Sequence, residues 1–489
     1  MIDPLLLTFS LVLYLIVLLL IVAYARKRSG KGLEEFYIGG RKITGFVAAM
    51  TYSATTYSVF MMVGLVGLTY AYGVGALGFE LTYLMATLIL LTLFAPRYWL
   101  LGKKKGYMTP AQLFSDRYEN RYVGATMTLL SFVFLIPYMA IQAMGSAYLL
   151  EAMSGGKIPY FYGVTFVVVI MAISTFWGGF RGVAWTDAVQ GIIMLASSLT
   201  LILYIFSVIG GFDVFAAKLE AEHSLLLSVP GKGFFNFYTF LTLTLPWAFF
   251  AITNPQVSQR LLIPKSRTSM KGMIVGFFIF GFLYTLISVM AGLQARALGI
   301  EVKAADKAMP MILQLFTPSP LALVVLIGIV SAGITTVNSI MLSLASLGGR
   351  DLYHAFSKKP SESKEQLIGY LIIGLEAIAV WLFALGKFGL ISLLAVMASA
   401  GLLVQVPTIV GGLFWKRGTA IGALSSMIIG ALVTAYLYLL GMKPLGPPVW
   451  AFPISVALYI ILSVVTKPPE KASTFLKELS RWMKEEGFG

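Results

Sequence analysis

The segment TYSATTYSVF, residues 51–60, sets hydroxyls on Thr51, Tyr52, Ser53, Thr55, Thr56, Tyr57 and Ser58 inside an apolar stretch running from residue 43 to about 72. A second polar patch, VSAGITTVNSIMLS, carries Thr335, Thr336, Asn338 and Ser339 deep in another apolar run. Small hydroxyls in such a setting either pack and bond back to their own helix or bind something. Unwinding of the first segment would free carbonyls, notably those of Ala54 and Tyr57, to face a cation. In the second, Ala332 and Thr335 stand three residues apart, so the carbonyl of one and the hydroxyl of the other share a helix face. With Thr336 they make five neutral oxygens, a hard-ligand shell that suits Na⁺ and offers nothing to a soft transition metal.

Other chemistry lacks material. The chain has no Cys, which excludes disulfides, iron–sulfur clusters and thiol catalysis, and its two histidines, His223 and His354, read as solvated loop residues. Acidic residues within apolar runs are few: Glu80, Glu151, Asp187 and Glu376. An ionised Asp at a membrane-helix centre costs about 2.5–3.5 kcal/mol, so each needs a partner or a watery cavity. Glu151 reads as interfacial, and Glu376 as either a packing or a functional residue. Asp187, in VAWTDAVQG, fits either a helix N-cap beside Thr186 or a place on an ion path.

The elements that must position these groups are membrane helices. The 489 residues are 58% hydrophobic and only 12% charged, with a mean hydropathy of +0.86, which marks a polytopic membrane protein. Thirteen apolar spans begin near residues 4, 43, 75, 122, 160, 183, 236, 272, 319, 366, 388, 418 and 449. All are expected to be helical, since only a helix satisfies its own backbone in lipid. The first reads as a span rather than a signal peptide, because its basic cluster, Arg26, Lys27 and Arg28, follows it. With the N-terminus outside and the C-terminus cytoplasmic, 28 of the 36 Lys and Arg fall on the cytoplasmic side, as the positive-inside rule requires. The net charge of +15 therefore needs no nucleic acid.

No loop is long enough for a second domain, so residues 1–489 read as one transmembrane unit. The tail STFLKELSRWMKEEG has Phe475, Leu476, Leu479 and Trp482 at helical spacing, and is expected to lie on the inner membrane surface or pack on a cytoplasmic loop. Two spans are internally broken. The second carries the hydroxyl cluster, and the seventh, FYTFLTLTLPWAFFAITNPQVSQRLL, contains Pro246 and Pro255 within one crossing, where proline removes a hydrogen bond and clashes with the preceding turn. Five spans counted from each give two units of opposite topology, residues 43–209 and 236–413, a candidate inverted repeat. Residues 1–42 add a helix and loop before it, and 414–489 add helices and the tail.

On this frame the chain resembles the sodium/solute symporter family, whose members carry proline, pantothenate, sialic acid and sugars. The likeness rests on EEFYIGGRKITGF, STFWGGFRGVAWTDAVQG, NPQVSQRLLIPKS, SAGITTVNS followed by GGRDLY, and GLFWKRGT, five pieces in order along nearly the whole chain. It implies the leucine-transporter-like fold of five plus five inverted helices. It also implies a sodium site on the carbonyls of Ala54, Tyr57 and Ala332 and the hydroxyls of Thr335 and Thr336, with Asp187 and Ser58 along the ion path. The substrate side would fall on Thr56, Phe60, Glu80, Trp247, Phe250, Asn254 and Pro255. Three positions depart from the proline branch: Thr56 stands for an aspartate, Ala251 for an aromatic residue and Gln256 for a histidine. Phe250 stands where the sugar branch has a stacking tyrosine.

The expected function is sodium-coupled symport of a small organic solute, an amino acid, sugar or carboxylate, by alternating access in the cell membrane, with no covalent step. The partners are the solute, Na⁺ and the lipid bilayer, and the chain is expected to act as a monomer or weak homo-oligomer. A proton-coupled symporter using Glu80 or Asp187 is the alternative within the class. A channel would show a filter motif or charged ring, a sensor a signalling domain, and an enzyme a paired acid and base or a metal cluster. The sequence shows none of them.

Overall fold

A computed structural model describes residues 2–387, 391–442 and 446–488, without the side chains of 391–393. The span start predicted near 388, and Lys443, counted among the outer cations, lie outside the described residues. Among the described residues every regular element is helical. The exception in pairing is one isolated parallel bridge, Ile43 with Pro264, which ties the approach to one broken segment to the exit from the other.

In chain order the principal helices are α1 (Pro4–Lys27), α2 (Gly45–Thr56), α3 (Gly75–Lys105), α4 (Arg121–Met153), α5 (Tyr160–Ile209), α6 (Phe237–Ala248), α7 (Arg267–Ala297), α8 (Ser319–Leu347) and α9 (Glu362–Leu385), then α10 (Ile391–Leu402), α11 (Val406–Phe414), α12 (Ala420–Leu439), α13 (Pro447–Val465) and α14 (Ala472–Glu485). Among the described residues, ten helices are long and apolar enough to cross a membrane, and α2 with its continuation Phe60–Tyr72 forms a pair bent by 52°. At 1.5 Å per residue the 50 residues of α5 far exceed one bilayer thickness. It is two crossings in one trace, divided at Gly179, whose φ of +52° and ψ of −167° no helix allows. Counting α5 twice and adding the bent pair and the short apolar helix Phe237–Thr253 accounts for the thirteen predicted spans.

α8 lies at the centre, its residues buried without interruption from Gly328 to Leu347. A helix buried all round can keep polar side chains only if neighbours satisfy them, and α8 meets this condition. Ser331 bonds Tyr14 of α1 at 2.7 Å, and Asn338 donates to Ser174 of α5 at 2.9 Å. Of the two expectations for the tail, the structure shows docking on protein. α14 buries Ala472, Phe475, Leu479 and Met483, while Lys103 and Lys105 of α3 pair with Glu486 and Glu478 at 3.1 and 3.3 Å. His354, expected to be solvated, is only partly exposed and sits 3.0 Å from Glu365.

Candidate functional site

The break after α2 is where two polar regions meet. Tyr57 leaves the helix with φ −92° and ψ +96°, its amide still donating to the Ser53 carbonyl at 2.8 Å. The next amides turn elsewhere: Val59 N–H donates to Gln142 Oε1 of α4 at 3.0 Å, and Phe60 N–H to Ser58 Oγ at 3.2 Å. The Ala54 and Thr55 carbonyls therefore receive no backbone amide. α8 supplies hydroxyls in their place. Thr335 Oγ1 lies 2.8 Å from the Ala54 carbonyl and 3.0 Å from the Ala332 carbonyl, and Thr336 Oγ1 donates to the Thr55 carbonyl at 3.1 Å. Of the five predicted oxygens, those of Ala54, Ala332 and Thr335 meet, and that of Thr336 sits one residue along. The Tyr57 carbonyl accepts no backbone amide and makes no hydrogen bond to the other four. The donors are neutral hard oxygens, the chemistry a small monovalent cation takes.

Directly beside this cluster lies a buried charged network that sequence reasoning missed. Thr55 Oγ1 and Ser339 Oγ are 2.7 Å apart, and Arg260 donates to Ser339 at 2.5 Å, to Thr51 Oγ1 at 3.1 Å and to the Gln256 carbonyl at 2.6 Å. Thr51 in turn donates to Asp187 at 2.6 Å, and Arg260 pairs with Asp187 at 3.3 Å, the two side chains 2% and 0% exposed. Two expectations change. Arg260, one of the 28 basic residues that the charge count assigns to the cytoplasmic side, is enclosed by protein. Asp187 is no N-cap, because it lies well inside the second half of α5, where its Oδ2 accepts from Thr51 and Arg260 and its Oδ1 is buried without a hydrogen-bond partner. The overlooked signal was position: Arg260 follows Gln256 by one helical turn and is followed by Leu261, Leu262 and Ile263, so the apolar run had not ended.

On the other side of the break an aromatic cluster packs together. Phe60 stacks on Trp247 with ring centroids 5.5 Å apart, and Trp247 stacks on Phe250 at 5.3 Å. Tyr83 meets Trp247 edge-on at 5.7 Å, and Tyr138 of α4 stands 6.4 Å from the same ring. Glu80, 2% exposed, lies three residues before Tyr83 on one face of α3. Asn254 occupies the extended link inside the seventh span, with φ −92° and ψ +114°, and accepts from Thr253 Oγ1 at 3.1 Å; Pro255 opens the next turn. Thr56 does not face the rings as a free group, since its hydroxyl bonds back to the Tyr52 carbonyl at 2.7 Å. Ser58 serves the Phe60 amide and lies against Tyr138. The structure thus gathers Phe60, Glu80, Trp247 and Phe250 and adds Tyr83, Tyr138 and Gln142, three polar side chains within apolar runs that the sequence reading passed over. A cavity of about 670 Å³, lined by Val63, Tyr148, Glu151, Lys307 and Met311 among others, opens beyond the segment that carries Phe60. Among the described residues no group of three or more His, Cys, Asp or Glu could hold a metal.

The family model described as Sodium:solute symporter family matches residues 36–430. A sodium/pantothenate symporter of Haemophilus influenzae is 30% identical over 86% of this chain and 88% of its own. The osmoregulated proline transporter of Bacillus subtilis is 27% identical over 95% and 96%. Among solved structures, a Na⁺-coupled sialic acid symporter in a substrate-bound outward-open state superposes with a TM-score of 0.81 at 19% identity, covering 94% of this chain and 98% of that one. A nucleobase-cation-symport-1 family transporter in a closed conformation gives 0.57 at 13% identity, covering 90% and 98%.

Proposed function

The chain belongs to the sodium:solute symporter family, and from that premise we propose that it is a sodium-driven importer of a small organic solute whose cation is held between the break after α2 and the middle of α8. The protein is a multi-pass membrane transporter and not an enzyme, and sodium is its coupling ion. The observation that carries the site assignment is the substitution of Thr335 and Thr336 hydroxyls for the backbone amides that the Ala54 and Thr55 carbonyls lack. A carbonyl bonded to a hydroxyl can exchange that contact for a cation without unfolding any turn, and the hydroxyl oxygen then becomes a ligand itself. The solute side is the cluster of Phe60, Glu80, Trp247, Phe250 and Asn254, reached across the same break, so that both cargoes load one element. Occupancy of both would favour closure on the outer side, and rocking of residues 43–209 against 236–413 would open the inner side.

The relatives' cargoes, pantothenate and proline, mark the size range of solute. One charge moved across the membrane is worth about 2.3 kcal/mol per 100 mV, which supports roughly 50-fold accumulation at about 1.36 kcal/mol per decade; the sodium gradient adds to it. The N-terminus lies outside, the C-terminus is cytoplasmic, and the chain works as a monomer or weak oligomer. In proteoliposomes with an imposed sodium gradient and clamped pH, Thr335→Ala and Thr336→Ala each raise the sodium concentration for half-maximal uptake by about tenfold or more, the size expected for losing one oxygen bound to a charge. Ser346→Ala, three turns further along α8, leaves it within about twofold. Equal effects at the three positions would remove the site, and uptake that follows pH but ignores sodium would replace the ion.

A further inference from the structure

Where α1 ends, four cations crowd into six residues: Arg26, Lys27, Arg28 and Lys31. Acidic residues follow at once, but both are engaged elsewhere, Glu34 with Arg41 at 2.8 Å and Glu35 with Arg181 at 2.5 Å. Among the described residues none of the four cations forms an ion pair. Arg26 gives one donor to the Trp177 carbonyl at 2.9 Å, and Arg28 lies 4.6 Å from the centre of the Tyr24 ring. The Arg26 guanidinium keeps donors to spare. A pocket of about 510 Å³ opens beside them, its walls including Arg26, Lys31 and Arg181, a single carboxylate, Glu35, and the rings of Trp177 and Tyr370. Three stretches of chain meet there: the end of α1, the break at Gly179, and α9 through Gln366 and Tyr370. α1 comes this close because Gly178 has no side chain, a Cβ there standing 3.3 Å from Val22.

We propose that this pocket binds the headgroup of an acidic phospholipid, its phosphate held by Arg26, Lys31 and Arg181 and its acyl chains lying along the outside of α1 and α5. Three cations against one carboxylate attract an anion, and a guanidinium suits phosphate because its N–H groups match two phosphate oxygens at once. A free phosphate would satisfy that charge equally, so the surroundings of the pocket decide. On α1, Ile16, Leu20 and Tyr24 stand four apart and are all exposed; on the first crossing of α5, Val169, Ile173 and Trp177 do the same. Residues four apart share a helix face. Each stripe is apolar along its length and ends in an aromatic ring at the level of the pocket, where Tyr24 also meets Trp185 edge-on at 5.9 Å. Exposed Trp and Tyr mark the depth of lipid headgroups. The ligand that fits is charged at one end and apolar at the other, as the lipids bound in basic pockets between membrane helices are. The site shares no residue with the sodium and solute sites proposed above. A bound headgroup ties three separate stretches of the fold together, so its binding registers as stability.

The test follows the thermal stability of the purified full-length protein in a neutral detergent. It is titrated with dioleoylphosphatidylglycerol, with dioleoylphosphatidylcholine, which has the same chains and no net charge, and with glycerol phosphate, the anion without chains. Phosphatidylglycerol is expected to stabilise the protein saturably, at a half-maximal concentration at least about tenfold below that of either of the others. Arg26→Gln combined with Lys31→Gln removes that advantage. Lys358→Gln combined with Lys359→Gln takes the same charge from an exposed loop and leaves the advantage within about twofold. Because the three ligands are compared on the native protein, the proposal does not depend on either variant folding. An equal response to the two lipids, or no saturable response to phosphatidylglycerol, overturns it. Glycerol phosphate binding as tightly as the lipid overturns it in favour of a soluble anion, and equal losses in the two double variants overturn it in favour of diffuse surface charge.

Discussion

At residue scale, the most consequential contact is the pairing of Arg260 with Asp187 in a place where neither meets water. Two opposed charges enclosed by protein repay their desolvation only while both are present, and removal of one costs about 3–5 kcal/mol because the other is left alone. Asp187→Leu is therefore expected to lower the thermal midpoint strongly, and Asp187→Leu combined with Arg260→Met to restore most of the loss. A double variant no more stable than the single one would mean that Arg260 finds other compensation in Thr51, Ser339 and the Gln256 carbonyl. The sequence exposed this site unevenly. Thr335 and Thr336 drew notice through their spacing from Ala332, the broken second span and the family resemblance, since hydroxyls in an apolar run most often only pack or bond back to their own helix. Arg260 did not, because a basic residue near the end of a span looks the same whether it turns toward the headgroups or back into the protein.

At the scale of elements, breaks organise the molecule, and two of the three lie where the sequence marked them. Pro246, Pro255 and the hydroxyl run flagged the second and seventh spans. What the sequence could not show was the means by which the first break is held: Gln142 reaches from α4 to take the Val59 amide, a contact between residues 83 positions apart. The third break, at Gly179, is a matter of backbone sterics. Its positive φ suits glycine, and a Cβ there would stand 2.8 Å from the ring of Phe36. Gly179→Ala is accordingly expected to destabilise by about 1–3 kcal/mol in thermal unfolding. Gly374→Ala, on α9 with nothing within 4 Å of the added atom, is neutral or slightly stabilising, since alanine favours a helix interior. A loss at Gly374 as large as at Gly179 would contradict this account.

For the whole molecule, the sequence conveyed architecture better than detail, because hydropathy and charge asymmetry act over twenty residues at a time and average out local surprises. The proposed orientation puts Lys232 outside and Lys358 inside, and both are exposed. The absence of cysteine makes that orientation easy to check. Single Lys232→Cys and Lys358→Cys variants, treated in intact cells with a membrane-impermeant maleimide, are expected to label at position 232 and to stay unlabelled at 358 until the membrane is opened. The reverse pattern would invert the molecule. The tail was legible as an amphipathic helix, but the same periodicity serves lipid and protein alike, so its seat on α3 came only from the ion pairs with Lys103 and Lys105.

Trp247, sandwiched between Phe60 and Phe250 and 3% exposed, has one further property. Trp177, Trp185 and Trp450 are 38%, 36% and 56% exposed, so their indoles sense the surroundings of the protein rather than its centre. Fluorescence from the central indole, whose N–H has no partner, responds to whatever enters beside it. On the proposed placement of the solute, Trp247 is expected to serve as an optical gauge of loading, read against the other deeply buried indole, Trp99, whose N–H is already held by the Pro264 carbonyl.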